Sequence, residues 1–174
     1  MIIKEAHRWR PVLPLGVVHG IPQEDKIDDF TLPKNSTIII NVWGMHMDPQ
    51  KFPNPEHFIP ERYADHPQLA PFYASSKDWE ARDHLGYGAS RRICPGIHLA
   101  ERNLFIAVAK LLWAFEFRKK EAGVSNVDPE SGISQGFMHC VKDYDAHVIV
   151  RGEERRETIL RELEGAKGVF DRYE

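Results

Sequence analysis

The sequence predicts a mainly helical chain with small β-sheets, an α+β fold. Three observations carry this expectation. Residues 97–117 place Leu104, Val108, Leu111, Leu112 and Phe115 on one apolar face at helical spacing. Residues 152–174 are dense in charge and read as a helix solvated on most sides. Two β-branched runs, Thr37–Val42 and Ala146–Val150, stand beside turn residues and read as hairpin strands.

Along the chain, Met1 to Arg10 read as the last turns of a helix stopped by Pro11. Residues 11–22 are apolar with Pro and Gly, hence extended or looping. Residues 28–42 read as a hairpin whose turn is Pro33-Lys34-Asn35, with Thr37–Val42 as a buried strand. Trp43 to Asp48 form a short helix. From Pro49 to Leu85, prolines at 49, 53, 55, 60, 67 and 71 exclude regular helix or central strand, while the aromatic content implies an ordered meander. After the long helix, residues 119–135 read as a loop. Phe137–Val141 and Ala146–Val150 read as a second hairpin about Lys142–Asp145.

The chain has 174 residues, 42% hydrophobic and 28% charged, which suits one soluble globular domain. A formal net charge of -3 gives no concentrated basic face for nucleic acid. Two cysteines, Cys94 and Cys140, are no disulfide framework and read as reduced thiols facing the cytosol. No apolar run reaches bilayer length, and MIIKEAHRWRP is no signal peptide. It opens in mid-helix pattern without an N-cap, so a fragment is expected.

Chemistry concentrates in GYGASRRICPGIHLAERNL, residues 86–104. A thiolate is a strong nucleophile and a soft metal ligand, and it must be kept ionised. Cys94 stands where a loop meets a helix N-terminus, which supplies partial positive charge and free N–H groups. Arg91 and Arg92 add charge. Gly86, Gly88 and Gly96 permit close approach of backbone to a bulky planar group. A thiolate facing something flat and anionic fits haem.

YGASRRICPG resembles the haem-binding loop of the cytochrome P-450 family, Phe-x-x-Gly-x-Arg-x-Cys-x-Gly. Arg92, Cys94 and Gly96 match; Tyr87 stands for the usual Phe and Ser90 for the usual Gly. Glu5-Ala6-His7-Arg8 resembles the family's Glu-x-x-Arg, and Pro60-Glu61-Arg62-Tyr63 its Pro-Glu-Arg-Phe element. The three occur in family order, and the likeness runs to about Val150. It implies the C-terminal part of the P-450 fold over residues 1–150, with 151–174 a separate charged helix. It further implies Cys94 as axial ligand to haem iron and Arg92 and His19 as propionate partners. Tyr87, Gly88 and Gly96 would line the cofactor, and Glu5, Arg8 and Arg62 would form a buried ionic triad. Val12, Leu13, Leu15 and Val17, with a hairpin tip at 132–137, would line a substrate pocket. Arg82, Arg91 and Arg102 could meet an acidic partner surface.

Other readings fit less. Gly86-x-Gly88 lacks the third glycine of a dinucleotide loop, since Arg91 stands there. His84, Cys94 and His98 match no standard zinc spacing. A hydrolase using Cys94 and His98 leaves Pro95-Gly96 unexplained and shows no orienting acid. His139 and Cys140 read as strand packing. The resemblance therefore implies a fungal or microsomal type of haem-thiolate monooxygenase. Such an enzyme inserts one oxygen atom of O2 into an apolar substrate, with electrons from NADPH through a flavoprotein reductase. Family members of this type sit on the endoplasmic reticulum membrane facing the cytosol, though this chain carries no anchor. The acidic/Thr pair of the family's distal helix is not found, so a non-catalytic haem-binding or inert remnant is the alternative.

Overall fold

In the computed structural model, residues 1–76, 78, 80–120, 132–134 and 136–172 are described. Helix α1 (Ile2–Trp9) ends ahead of Pro11, which cannot continue a helix. Strand β1 (His19–Gly20) follows, then β2 (Asp25–Ile27), β3 (Phe30–Leu32) and β4 (Thr37–Ile38). Helix α2 (Val42–His46) is capped by Asn41, whose side chain accepts the Gly44 N–H. A 3₁₀ turn over Pro60–Tyr63 and helix α3 (Ala70–Ala74) are the regular pieces of the meander. Helix α4 (Ile97–Ala114) runs directly into β5 (Phe115–Lys119). Strand β6 (Ala146–Val150) and helix α5 (Glu153–Phe170) close the chain.

The strand pairing corrects the sequence reading three times. The first hairpin turns at Asp28-Asp29, not at Pro33-Lys34-Asn35: β2 pairs with β3, and Asp28 takes the left-handed φ of +51° that a tight turn needs. Asn35 is also left-handed at +68°, but it turns the chain so that β4 returns to β1, with His19 opposite Ile38. The expected buried strand 37–42 is two residues long, and Ile39 is 54% exposed. Its apolar content records a surface this chain does not cover.

The long helix stops at Ala114 rather than continuing to Phe117, because residues 115–119 pair with 146–150 along five register positions. The run Phe-Glu-Phe-Arg alternates apolar and charged, so it satisfies the strand period as well as the helical one. Once Ala146–Val150 takes that partner, the expected hairpin with Phe137–Val141 is lost. The latter segment instead folds back on 132–134: Ser134 N–H donates to Cys140 C=O at 2.8 Å, Lys142 N–H to Gly132 C=O at 3.0 Å, and Ile133 bridges Val141. Of the loop expected over 119–135, residues 121–131 and 135 lie outside the described ones.

Helix α5 has no buried residue, as its charge density implies, and Arg155 lies over the Trp113 ring of α4 at 5.6 Å. The apolar face expected of α4 is only partly covered. Leu104 and Val108 are half-buried, whereas Leu111 and Leu112 are exposed. Among the described residues the apolar interior is thin, built on Val42, Phe52, Tyr63, Ala70, Ile97 and their neighbours. Lys4, Glu5, Arg8, His46, Asp83, His84 and Glu101 are buried beside it. Hydrogen bonding therefore organises the space between α1, the meander and α4.

Candidate functional site

Glu5 and Arg8 share one face of α1, and both are 0% exposed. Arg8 donates Nε to Glu5 Oε2 at 2.8 Å and Nη2 to Oε1 at 2.7 Å, a two-point fork. Its other donors reach the carbonyls of His46, Pro55 and His57 at 3.2, 2.7 and 3.0 Å. All five guanidinium N–H groups are thus satisfied. Arg62 approaches from the 3₁₀ turn, with Nε 3.1 Å from Glu5 Oε2 and 3.2 Å from Oε1. Ile59 N–H completes the carboxylate at 2.9 Å. Glu5, Arg8 and Arg62 are therefore in mutual contact and tie α1 to the meander. Lys4 adds a second tie, with Nζ 3.1 Å from Asp83 Oδ2 and bonded to the carbonyls of His66 and Gln68.

That ionic layer supports the cysteine loop. Gly88 bends it at φ +77°, where a side chain would be strained, and its N–H closes a turn on Leu85 C=O at 2.9 Å. A single 3₁₀ turn, Ser90–Arg92, follows. The chain then doubles back, so that Cys94 N–H donates to Tyr87 C=O at 2.8 Å. Cys94 is half-buried and its thiol free, three residues ahead of the first residue of α4. A Cβ at Gly96 would lie 3.8 Å from the Cys94 sulfur, so glycine leaves that side of the thiol uncovered.

The approach to this loop is held by neutral imidazoles. Leu85 N–H donates to His46 Nε2 at 2.8 Å, and Gly86 N–H to His84 Nδ1 at 3.1 Å. Burial, helped by the Arg8 guanidinium, pushes His46 down to about 4. Burial likewise pushes His84 well below the usual imidazole range. Each ring must then carry its proton on the other nitrogen, and those atoms, His46 Nδ1 and His84 Nε2, are buried without a hydrogen-bond partner among the described residues. His7 stacks on His84 at 5.0 Å, and its own affinity for a proton is lowered by burial against the pull of Glu101 and Asp83.

The remaining sequence-selected residues lie elsewhere. Arg91, Arg92 and Arg102 are exposed. Arg82 is not available to a partner: it is 8% exposed and donates to Gly88 C=O at 3.2 Å, bracing the loop from within. His19 is half-buried on β1. Val12, Leu15 and Val17 are exposed and Leu13 half-buried, on the segment between α1 and β1. His139 N–H donates to Val12 C=O at 2.8 Å. The 132–142 turn thereby closes a cavity of about 520 Å³ with Pro14, Leu15 and Trp43. A larger cavity of about 970 Å³ runs along Gly88, Arg91, Ile93 and Ile97, opposite Ile40 and Met45. Cys94 and Arg92 do not line it. His84 is buried and His98 exposed, and among the described residues no three His, Cys, Asp or Glu side chains gather as metal ligands.

Sequence reasoning missed Lys4, His46, Asp83 and Glu101, and weighed His84 only as a zinc ligand. Their spacing matches no motif. The one available signal was the excess of His, Asp and Glu in otherwise apolar surroundings.

The described residues thus hold a free, half-buried thiol on a hydrogen-bonded loop at the start of a helix. Residues 1–144 match the sequence model of the Cytochrome P450 family, and the chain belongs to that family. It is 71% identical over its whole length to cytochrome P450 monooxygenase atE of Aspergillus terreus, of which it covers 32%. It is 60% identical to cytochrome P450 monooxygenase patI of Aspergillus clavatus, of which it covers 33%. The chain thus spans about a third of the length of these relatives. Among solved structures it resembles a zebra fish cytochrome P450 with abiraterone. The TM-score is 0.69 at 28% identity, over 86% of this chain and 31% of that one.

Proposed function

We propose that this chain forms the cysteine-loop part of a haem-thiolate monooxygenase acting on an apolar organic substrate. One observation supports it most: in a P450-family chain, the free thiol of Cys94 is half-buried on the loop that opens α4. The donor set would suit haem iron, since Cys94 offers a sulfur donor and, among the described residues, no three His, Cys, Asp or Glu side chains gather around a metal site. When bound, haem supplies the redox chemistry by which one atom of dioxygen enters the substrate. The residues of this chain would then bind and orient. Cys94 would hold the iron. Arg92 and His19 pair with the propionates, and the Tyr87 ring covers the sulfur. Val12, Leu13, Leu15 and Val17 line the apolar substrate space. Residues 1–150 form the haem-binding part and 151–174 an appended helix.

Electrons come from NADPH through a flavoprotein reductase. The relatives are about three times as long as this chain, which supports a partner surface and further substrate-pocket residues lying on a longer polypeptide. Among the described residues no helix is long and apolar enough to cross a membrane; a place on the endoplasmic reticulum membrane facing the cytosol remains part of this reading, by family likeness.

A spectrum tests this reading. The chain is loaded with haem, reduced and exposed to carbon monoxide. A red-shifted Soret band that Cys94→Ala abolishes is the expected result. A band unchanged by the substitution, or none, would favour the alternative of a non-catalytic remnant.

A further inference from the structure

Tyr87 stands where the family resemblance expects phenylalanine, and its hydroxyl is used. Oη donates to Glu101 Oε1 at 3.0 Å and lies 3.3 Å from His7 Nε2. Glu101 belongs to the second turn of α4 and is buried. No cation pairs with its carboxylate among the described residues; its second oxygen receives only the Ala70 N–H, at a long 3.4 Å. A buried carboxylate keeps its charge only where donors meet it, so the phenol is its principal support. Burial together with the Glu101 charge pushes the Tyr87 hydroxyl upward, so it remains protonated and able to donate.

The same residue's backbone carbonyl receives the Cys94 N–H. Tyr87 therefore grips the loop twice, at the backbone beside the cysteine and through its ring at α4. Residues 87 and 101 flank Cys94, and the bond between them closes the whole loop into a ring. His7 extends the grip to α1, the helix that carries Glu5 and Arg8.

We propose that Tyr87 and Glu101 form a latch that positions the Cys94 loop, with Glu101 the positioning residue and the Tyr87 hydroxyl its point of contact. Its meaning for function rests on the haem-thiolate reading above. Its geometry does not.

The test uses Cys140, an exposed free thiol, as an internal reference. In the full chain without haem, the iodoacetamide reaction rate of Cys94 is measured relative to that of Cys140. Variants are Tyr87→Phe, Glu101→Leu, Glu101→Gln and the double Tyr87→Phe/Glu101→Leu. Loss of a hydrogen bond to a buried carboxylate should raise the relative rate about tenfold in Tyr87→Phe and in Glu101→Leu. Glu101→Gln keeps an oxygen acceptor and should stay within about threefold of the parent. The double variant should react no faster than either single one, since both break the same bond. A parent-like rate in Tyr87→Phe, a Glu101→Gln as reactive as Glu101→Leu, or additive effects in the double variant would each overturn the latch.

With haem and carbon monoxide added, Tyr87→Phe should lose the thiolate-type Soret band about tenfold faster than the parent. Absence of that band in the parent refutes the haem reading alone, because the alkylation rates contain no haem.

Discussion

Arg8 spends every donor it has, and that makes it the residue on which the rest leans. Its partner Glu5 is equally excluded from solvent and accepts from three residues, Arg8, Arg62 and Ile59. Removing either side chain strands a buried charge, so Arg8→Ala and Glu5→Ala should each cost roughly 3–5 kcal/mol. Urea midpoints check this, and a loss under about 1 kcal/mol would contradict the packing. His46 makes the second residue-scale prediction. Its folded-state proton affinity is near 4 against an ordinary 6.5. Between those values the unfolded chain binds the extra proton, so stability rises with pH across that window and is lost as pH falls through it. His84 acts in the same direction. A His46→Gln variant, which keeps an acceptor for Leu85 N–H but does not titrate, should show a shallower pH profile.

At the scale of elements, the junction of α4 with β5 has no connecting loop, and Arg151 serves in its place. Its Nε donates to Leu112 C=O at 2.9 Å and Phe115 C=O at 2.8 Å, while its backbone N–H reaches Ala114 C=O. These are carbonyls a helix end leaves without partners. Because Arg151 is exposed, Arg151→Ala should cost only about 1 kcal/mol. Amide exchange should still quicken selectively at Phe115–Lys119 and Ala146–Val150, with residues 97–108 unchanged. The same junction explains the misread hairpin. Periodicity located the β-branched run 146–150 but could not choose its partner, because two alternating or apolar runs competed for it. The choice depended on register between distant segments, which is not local.

For the molecule as a whole, the distribution of apolar surface is the dominant fact. Leu99, Phe105, Ile106, Trp113 and Phe117 on α4 and β5 are exposed, as are Val12, Leu15 and Val17. A soluble monomer rarely exposes large contiguous apolar patches, and the relatives are about three times as long as this chain. The isolated chain should therefore bind a hydrophobic dye and self-associate. Sedimentation at tens of micromolar should show species heavier than one chain. A clean monomer without dye binding would mean that the exposed faces reorganise on their own.

The sequence by itself determined that helices lie near the start, after the cysteine loop and at 152–174, though not the end of the long one, as well as the irregular meander and the order of the three motifs. Each of these rests on local chemistry: periodicity, proline exclusion, charge density, or residue types at short spacing. It also brought Glu5, Arg8 and Arg62 together on paper. Tertiary structure alone decided that Arg82 points inward and that β6 pairs with β5. Only the fold, too, set two neutral histidines beneath the cysteine loop and joined Tyr87 to Glu101. Most of those contacts join segments well separated in the chain, as His46 with Leu85 and β5 with β6. Burial decides them, because a polar group shut away from water must take whichever partner the fold brings within reach.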